Sequence, residues 1–335
     1  MPCKPIEHYP SPPDKRRTPP ISSEFIKRKQ TLRRSTIVNE TIRSHIDSVS
    51  RSNIERLINR LTSFHNRHTK SENINRAAKW IMDELKEING NDGEHTNTVS
   101  YHEYIEDQYH LKNVIYDKQG ATNRVILFCA HYDTILQSNT NDVASRAPGA
   151  DDNASGVCAL LEMARIISTL NLEYSMRFAF FSGEEQGYWG SKHYAQHIKD
   201  KNEDLYAVVN LDMCSEPGFL STKSTTNVDV DDGTTGSVST NNEASQLLGQ
   251  KMEKMAIDYT NLKVEYDPIA FSDYMPFEAR GYVCIGAYDG SAVEQNHHYH
   301  SETDIPSNLD LDFLTSITKM TLAFALSEGR LKADP

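Results

Sequence analysis

The chain has 335 residues, 38% of them hydrophobic and 24% charged, which are ordinary proportions for a soluble globular protein. The formal net charge of -12 argues against sequence-independent binding of nucleic acid, because neutralising phosphates needs a basic surface. No apolar run approaches the ~20 residues that a membrane-spanning helix needs. We therefore expect neither a nucleic-acid nor a membrane partner, and the sequence leaves the oligomeric state open.

The N-terminal segment differs in composition from the rest of the chain. Residues 1–50 include many Pro, Lys, Arg and Ser residues, with basic clusters at 15–17, 27–29 and 33–34. This composition is typical of a loose basic arm, so we predict an arm over 1–50 and one large domain over 51–335. No apolar signal-peptide core is visible near the start, and the five cysteines are widely spaced. We expect a cytoplasmic location, with secretion as the alternative for a chain that has been trimmed.

Hydrophobic periodicity predicts two helices first and then strands that alternate with helices. Apolar residues recur with the i, i+3, i+4, i+7 spacing of a helix over 54–61 and again over 77–85. The elements predicted after them are strands 113–116 and 125–130, helix 154–168, strand 177–181, helix 190–198, strand 206–212, helix 243–257, strand 282–287 and helix 311–328. This alternation predicts the α/β class, with a mostly parallel central sheet and helices on both faces. We expect the polar segment 221–242 to be a surface excursion.

Candidate ligands stand where the predicted strands end. His131 and Asp133 follow strand 125–130, Glu184 and Glu185 follow strand 177–181, and Asp212 ends strand 206–212. In an open α/β sheet the crevice for ligands lies at the carboxyl ends of the strands. Histidines and carboxylates without cysteine favour a hard or borderline divalent metal, and more than four such residues indicate two ions in one site. The sequence therefore predicts a two-metal hydrolase.

The first pair of adjacent acidic residues precedes a predicted helix. Asp151 and Asp152 could simply cap that helix, and we interpret Asp152 or Asn153 as the cap. Asp151 is then a metal ligand, because neighbouring carboxylates in a buried crevice would repel each other strongly without a cation.

The second acidic pair, Glu184 and Glu185, raises the same question. Consecutive residues on a strand face opposite sides of the sheet, so both glutamates can reach one site only if the backbone turns, as Gly183 permits. One glutamate could then bind metal while the other transfers protons, a division that two-metal hydrolysis requires. The residues alone leave open which glutamate does which.

The strand-end motifs, taken in order, resemble those of the two-zinc aminopeptidase family that includes bacterial leucyl aminopeptidases. The motifs that carry the resemblance are HYD at 131–133, PGADDNASG at 148–156, SGEEQGYWGS at 182–191, NLDM at 210–213 and YHSETD at 299–304. The similarity extends over about 52–330 and implies a zinc-exopeptidase fold, with the catalytic domain over 51–335. Relatives of this family include glutaminyl cyclases and glutamate carboxypeptidase.

The resemblance also implies a role for each candidate residue. Two zinc ions are the implied cofactors, and their implied ligands are His131 and Asp212 for one ion, Glu185 and His300 for the other, and Asp151 as the bridge. Glu184 would be the general acid/base. Asp133 would orient His131 through the second imidazole nitrogen. A cis peptide between Asp151 and Asp152 is implied as well.

The substrate contacts are predicted from residues near the ligands. Met213 follows Asp212 directly and is predicted to line a pocket for the substrate side chain. Tyr274 is the second predicted contact, and it stands in SDYMPF at 272–277 where the family commonly has histidine. His297 and His298 are expected to rim the site.

The resulting prediction is a metal-dependent aminopeptidase that removes an apolar, leucine-like residue from peptides with a free N terminus. Two alternatives stay open: a glutaminyl cyclase, and a binding module derived from the peptidase fold. The SGEEQGYWGS motif looks more like that of aminopeptidases than of cyclases. A binding module would be expected to have lost metal ligands, whereas all five ligand positions are filled here.

Overall fold

A computed structural model describes residues 38–90, 97–215, 224–233, 240–290 and 296–332. Its helices are α1 Glu40–Asp47, α2 Arg51–Leu61, α3 Glu72–Asn89, α4 Gly156–Ile167, α5 Trp189–Asp200, α6 Asn242–Tyr259, α7 Met275–Glu278 and α8 Leu311–Glu328. Its strands are β1 Thr98–Glu106, β2 Tyr109–Lys118, β3 Val125–His131, β4 Ser175–Phe181, β5 Leu205–Leu211, β6 Thr225–Val230, β7 Lys263–Pro268 and β8 Cys284–Tyr288. None of the helices in these ranges has the length and hydropathy to cross a membrane.

The eight strands form one sheet in the order β1-β2-β4-β3-β5-β8-β6-β7. The central pairs β3/β4, β3/β5 and β5/β8 are parallel, as is β6/β7, whereas β1/β2, β2/β4 and β6/β8 are antiparallel. Parallel strands need crossover connections, and the helices that follow β3, β4 and β6 provide three of them. The predicted α/β class with a mostly parallel sheet is confirmed.

The core lies on both faces of the sheet, which explains why the central strands are mostly apolar. All of Val125–His131 is buried. Alternate residues of β3 face opposite sides, so Ile126 and Phe128 join the larger apolar cluster while Leu127 and Cys129 join the smaller one. Helices α2, α3, α4 and α8 contribute to the larger cluster, and α5 and α7 contribute to the smaller.

The expectation that 221–242 is a surface excursion is wrong for its central part. Residues Thr225–Val230 form β6, and all six are buried. The strand lies between β8 and β7, so neighbouring strands and helix α6 shield side chains that look solvent-exposed in the sequence. Residues 221–223 and 234–239 lie outside the described ranges.

The predicted N-terminal arm ends in a folded element. Residues 1–37 lie outside the described ranges, but Glu40–Asp47 is a helix whose Ile42 and Ile46 are buried in the main core. Asn39 caps it by accepting a hydrogen bond from the Ile42 backbone amide at 3.1 Å. The Arg43 guanidinium donates to the carbonyl of Asp258, at 2.7 Å, on helix α6. Residues 39–47 therefore belong to the domain.

Candidate metal centre

Three adjacent strands end at the same edge of the sheet and place the candidate ligands there. His131 is the last residue of β3, the turn at 182–185 follows β4, and Asp212 follows β5. Gly183 has a φ of 77°, a left-handed conformation that suits glycine, and it provides the expected turn. Because β3 lies between β4 and β5, these side chains meet in one pocket.

Asp152 lies between two histidines at the centre of this pocket. His131 Nε2 is 3.1 Å from Asp152 Oδ1 and 3.2 Å from Asp212 Oδ1. His300 Nε2 is 2.9 Å from the other oxygen of Asp152 and 2.8 Å from Glu185 Oε1. The carboxylate of Asp152 is therefore shared by two groups, each containing one histidine and one further carboxylate.

The donor atoms suit zinc in chemistry and in spacing. Tetrahedral zinc with bonds of 2.0–2.1 Å separates its ligand atoms by about 3.3 Å, close to the distances between these nitrogens and oxygens. The two oxygens of Asp152, Glu185 Oε1 and His300 Nε2 are buried without a well-aligned hydrogen bond. Atoms that converge at short distance without hydrogen-bond alignment are expected where ligands point at a shared cation. The residues present thus fit a metal.

The pocket favours positive charge. Burial opposes charging of His131, but Asp212 and the other nearby carboxylates raise its pKa well above the usual value. Burial likewise opposes charging of His300, yet Glu185 and Asp152 raise its pKa to about 9. Burial would raise the pKa of Asp152, and the two histidines instead hold it well below the usual range. A divalent cation would provide the positive charge that these carboxylates attract.

Asp152, and not the predicted Asp151, lies between the two histidines, which corrects the placement expected for Asp151. Asp151 Oδ1 accepts hydrogen bonds from the Ser215 amide at 2.9 Å and from the Ser215 hydroxyl at 2.7 Å. Asp151 Oδ2 accepts from Asn296 Nδ2 at 3.3 Å. The carboxylate of Asp151 therefore holds the chain that follows Asp212.

The backbone between Gly149 and the helix explains why neighbouring side chains diverge. Asp152 and Asn153 have non-helical torsions, with φ/ψ of -105°/94° and -131°/51°. The predicted cis peptide between Asp151 and Asp152 is wrong, because the cis bond joins Asp152 to Asn153. Of the two predicted caps, Asn153 accepts from the Gly156 amide at 2.9 Å at the start of helix α4.

Asp133 positions the glutamate turn, a role that the sequence did not predict. Its carboxylate accepts from the backbone amides of Glu184, at 3.1 Å, and Glu185, at 3.3 Å, and from the Thr69 hydroxyl at 2.9 Å. His131 Nδ1 is 3.6 Å from Asp133 Oδ1, an ion-pair distance that exceeds a hydrogen bond. The predicted orientation of His131 by Asp133 stays a prediction.

A hydrogen bond from Ser272 orients Asp212, and the sequence motifs did not predict this contact. The Ser272 hydroxyl donates to Asp212 Oδ2 at 2.7 Å and accepts from Asn210 Nδ2 at 2.7 Å. This arrangement turns the other oxygen of Asp212 towards His131. Ser272 belongs to SDYMPF at 272–277, which marked the segment without indicating this contact.

The two predicted substrate contacts are buried, whereas the predicted rim histidines are at least partly exposed. Met213 follows Asp212 in a left-handed conformation with a φ of 50° and is 3% exposed. Tyr274 is fully buried, and its hydroxyl donates to Asp229 Oδ2 at 2.7 Å. His297 is exposed, while His298 Nδ1 contacts the Thr303 hydroxyl at 2.8 Å. Their contacts with substrate stay predictions.

Comparison with known proteins assigns the family. A family model described as peptidase family M28 matches residues 113–325, well over half of the chain. The chain belongs to peptidase family M28. This membership confirms the predicted family resemblance. It also confirms the predicted enzyme class, a zinc-dependent peptidase, which is a hydrolase.

Curated relatives of the chain include proteins named leucine aminopeptidase and zinc metalloprotease. The chain is 26% identical over 319 residues to a probable leucine aminopeptidase of Trichophyton verrucosum, covering 93% of this chain and 80% of that protein. It is 32% identical over 194 residues to a probable zinc metalloprotease of Pyrenophora teres f. teres, covering 52% of this chain. That match spans 39% of the Pyrenophora protein, so much of the longer protein has no counterpart in it.

Solved structures show the same fold at low identity. The Legionella pneumophila LapA aminopeptidase superposes with a TM-score of 0.74 and 20% identity, covering 90% of this chain and 78% of that one. A Porphyromonas gingivalis glutaminyl cyclase superposes with a TM-score of 0.66 and 19% identity, covering 84% of this chain and 99% of that one. Both likenesses support the α/β architecture derived above.

Proposed function

We propose that this M28 peptidase is a two-zinc aminopeptidase that removes the first residue from peptides with a free α-amino group. The observation that carries the proposal is Asp152, whose two oxygens face one histidine each while each histidine contacts a further carboxylate. The name of the Trichophyton relative, a probable leucine aminopeptidase, supports the choice of reaction. The name of the Pyrenophora relative supports zinc.

The proposed ligands divide into two sets that share one residue. His131, Asp212 and Asp152 would hold one ion, and Glu185, His300 and Asp152 would hold the other. Bound zinc supplies Lewis-acid chemistry, polarising a carbonyl oxygen and lowering the pKa of water.

Glu184 is the residue to which we assign proton transfer. Its side chain is buried beside the ligands, and one of its oxygens lies within 4.8 Å of donor atoms of His131 and Glu185. Glu184 belongs to a candidate group with His131 and Glu185, but to neither of the two groups that contain Asp152. It would take a proton from the attacking water and return it to the leaving amine. Asp133 would keep it in place by accepting from its backbone amide.

The carboxylates also provide a basis for recognising the substrate amine. Glu184, Glu185 and Asp212 lie within one pocket, so an ammonium group nearby would be attracted electrostatically. Met213 places an apolar side chain next to Asp212, which favours an apolar first residue such as leucine. Attraction of the free amine would make the enzyme an exopeptidase, and the apolar contact would give it leucine-like specificity.

A substrate series tests the proposal. The zinc-loaded protein is incubated with a leucyl peptide, with its N-acetyl form and with a peptide that begins with glutamine, and the products are followed by mass. We expect release of leucine from the first peptide and none from the second, because acetylation removes the charge and adds bulk. Cleavage of the acetylated peptide would reject the aminopeptidase. Loss of ammonia from the glutaminyl peptide without hydrolysis would identify a cyclase instead.

A further inference from the structure

A fully buried arginine lies directly behind the metal pocket. Arg67, in the loop between α2 and α3, is 0% exposed. Its guanidinium donates to three backbone carbonyls: Nε to Tyr132 at 2.7 Å, Nη2 to Gly149 at 2.9 Å, and Nη1 to Pro148. Desolvating a cation costs several kcal/mol. A buried arginine that binds neutral carbonyls is therefore expected to have a role in the protein that offsets this cost.

The three carbonyls belong to the two segments that carry His131 and Asp152. Tyr132 directly follows His131 at the end of β3. Pro148 and Gly149 begin the segment 148–152, which we call the bridging loop. One rigid, planar group therefore fixes the end of β3 relative to this loop. The contact is close enough that a Cβ on Gly149 would lie 2.9 Å from Arg67 Nη2.

Asp304 holds the bridging loop from its other side. Its Oδ1 accepts from the Asp151 amide at 2.8 Å, and its Oδ2 accepts from the Asp152 amide at 3.1 Å. Asp304 stands four residues after His300, so it also connects the loop to the segment that carries the second histidine. The loop thus turns carbonyls towards a cation and amides towards an anion, which matches the direction of the peptide dipoles.

We propose that Arg67 and Asp304 are positioning residues that set the distances between His131, Asp152 and His300 and thereby the zinc affinity of the pocket. Neither contacts the converging ligand atoms. The guanidinium fixes Asp152 relative to His131, and the Asp304 carboxylate fixes it relative to His300. The proposal rests on the proposed function only in taking zinc as the ligand.

Three substitutions separate geometry from charge. Arg67→Lys keeps the positive charge, but a single ammonium group cannot reproduce the three fixed donors. Arg67→Met removes both charge and donors at similar volume. Asp304→Asn puts an amide NH₂ where one carboxylate oxygen accepts from the loop. Residues that orient metal ligands typically contribute 10–100-fold to metal affinity, so we expect each variant to bind zinc about 10–100-fold more weakly.

Arg177→Met is the matched control for general destabilisation. Arg177 is also a largely buried arginine, and it donates to Asp117 at 2.6 Å and to Glu203 at 2.5 Å. It lies on β4 opposite Leu127, four residues before the position opposite His131, which is roughly 13 Å away along the strand. Its loss should lower the Tm without changing zinc affinity.

The experiment is a competition titration of the metal-stripped full chain with zinc and a chromogenic chelator, with the metal-free Tm measured in parallel. The cobalt-loaded proteins are compared by absorption, since that spectrum reports coordination geometry independently of activity. We expect weaker zinc binding and an altered cobalt spectrum for both Arg67 variants and Asp304→Asn, and neither change for Arg177→Met. If Arg67→Met does not fold, Arg67→Lys and Asp304→Asn decide.

Two results would overturn the positioning role. One is unchanged zinc affinity in the Arg67 and Asp304 variants, and the other is an equal loss in Arg177→Met at a similar Tm. Failure of the proposed function has a different signature, namely zinc binding by the unsubstituted chain without release of leucine. An unsubstituted chain that binds no zinc would reject the metal centre and the positioning role together.

Discussion

The neighbours Asp151 and Asp152 allow a sharp test of the site, because asparagine changes their charge with almost no change in volume. Asp152 contacts His131 at 3.1 Å and His300 at 2.9 Å. Residues that only orient ligands contribute 10–100-fold to metal affinity, so a carboxylate shared by both sets should contribute more than about 100-fold. Asp152→Asn should therefore weaken zinc binding by about 2.7 kcal/mol or more.

Asp151→Asn should lower stability and leave zinc in place. Its Oδ2 accepts from Asn296 Nδ2, so an amide NH₂ there would face another donor or leave both groups unpaired. An unsatisfied buried group of this kind costs about 1–3 kcal/mol of unfolding free energy. We expect zinc affinity within about tenfold of the unsubstituted chain, since the carboxylate points at Ser215.

The measurements for both variants are metal content after dialysis, zinc affinity by chelator competition, and denaturant unfolding of the metal-free chains. The expected pattern is zinc loss for Asp152→Asn and loss of stability with zinc retained for Asp151→Asn. Zinc loss in Asp151→Asn together with normal zinc binding in Asp152→Asn would refute the assignment of the bridge.

Three further predictions concern other parts of the molecule. Glu184→Gln should keep zinc and reduce kcat by about 10²–10⁴-fold, whereas Glu185→Gln should reduce zinc content; metal loss in the first variant alone would exchange the two roles. Ile46→Ala should cost about 2–5 kcal/mol in denaturant unfolding without changing zinc affinity, because Ile46 is fully buried. A negligible cost would show that helix α1 is not part of the core. Burial lowers the pKa of His102 to about 4, and its Nδ1 faces the Asn113 amide group at 3.1 Å. The unfolded chain therefore binds the proton more readily, and this residue's contribution to stability falls as pH decreases from about 6.5 towards 4. Tm measured against pH should fall less steeply in that window for His102→Gln, and an identical slope in both chains would contradict this.

The sequence by itself determined the fold class and the location of the site. Apolar runs such as 125–130 are buried on both faces of a parallel sheet, so their composition identifies them without knowledge of their neighbours. Parallel strands in one sheet end at a common edge, and for this reason His131, Glu185 and Asp212 could be expected to converge. Motif order added His300, which lies in the same pocket.

Only the tertiary structure decided which of two adjacent aspartates lies between the histidines. Asp151 and Asp152 are equivalent in charge and length, and their directions depend on loop torsions that no local pattern specifies. Arg67 was missed for a related reason, since its acceptors lie 65 to 82 residues away along the chain. The burial of β6 likewise depends on strands β7 and β8 beside it. Hydrophobic periodicity indicates which face of a segment is apolar. The partners and the burial of a side chain depend instead on contacts with distant segments, and these contacts form only when the chain folds.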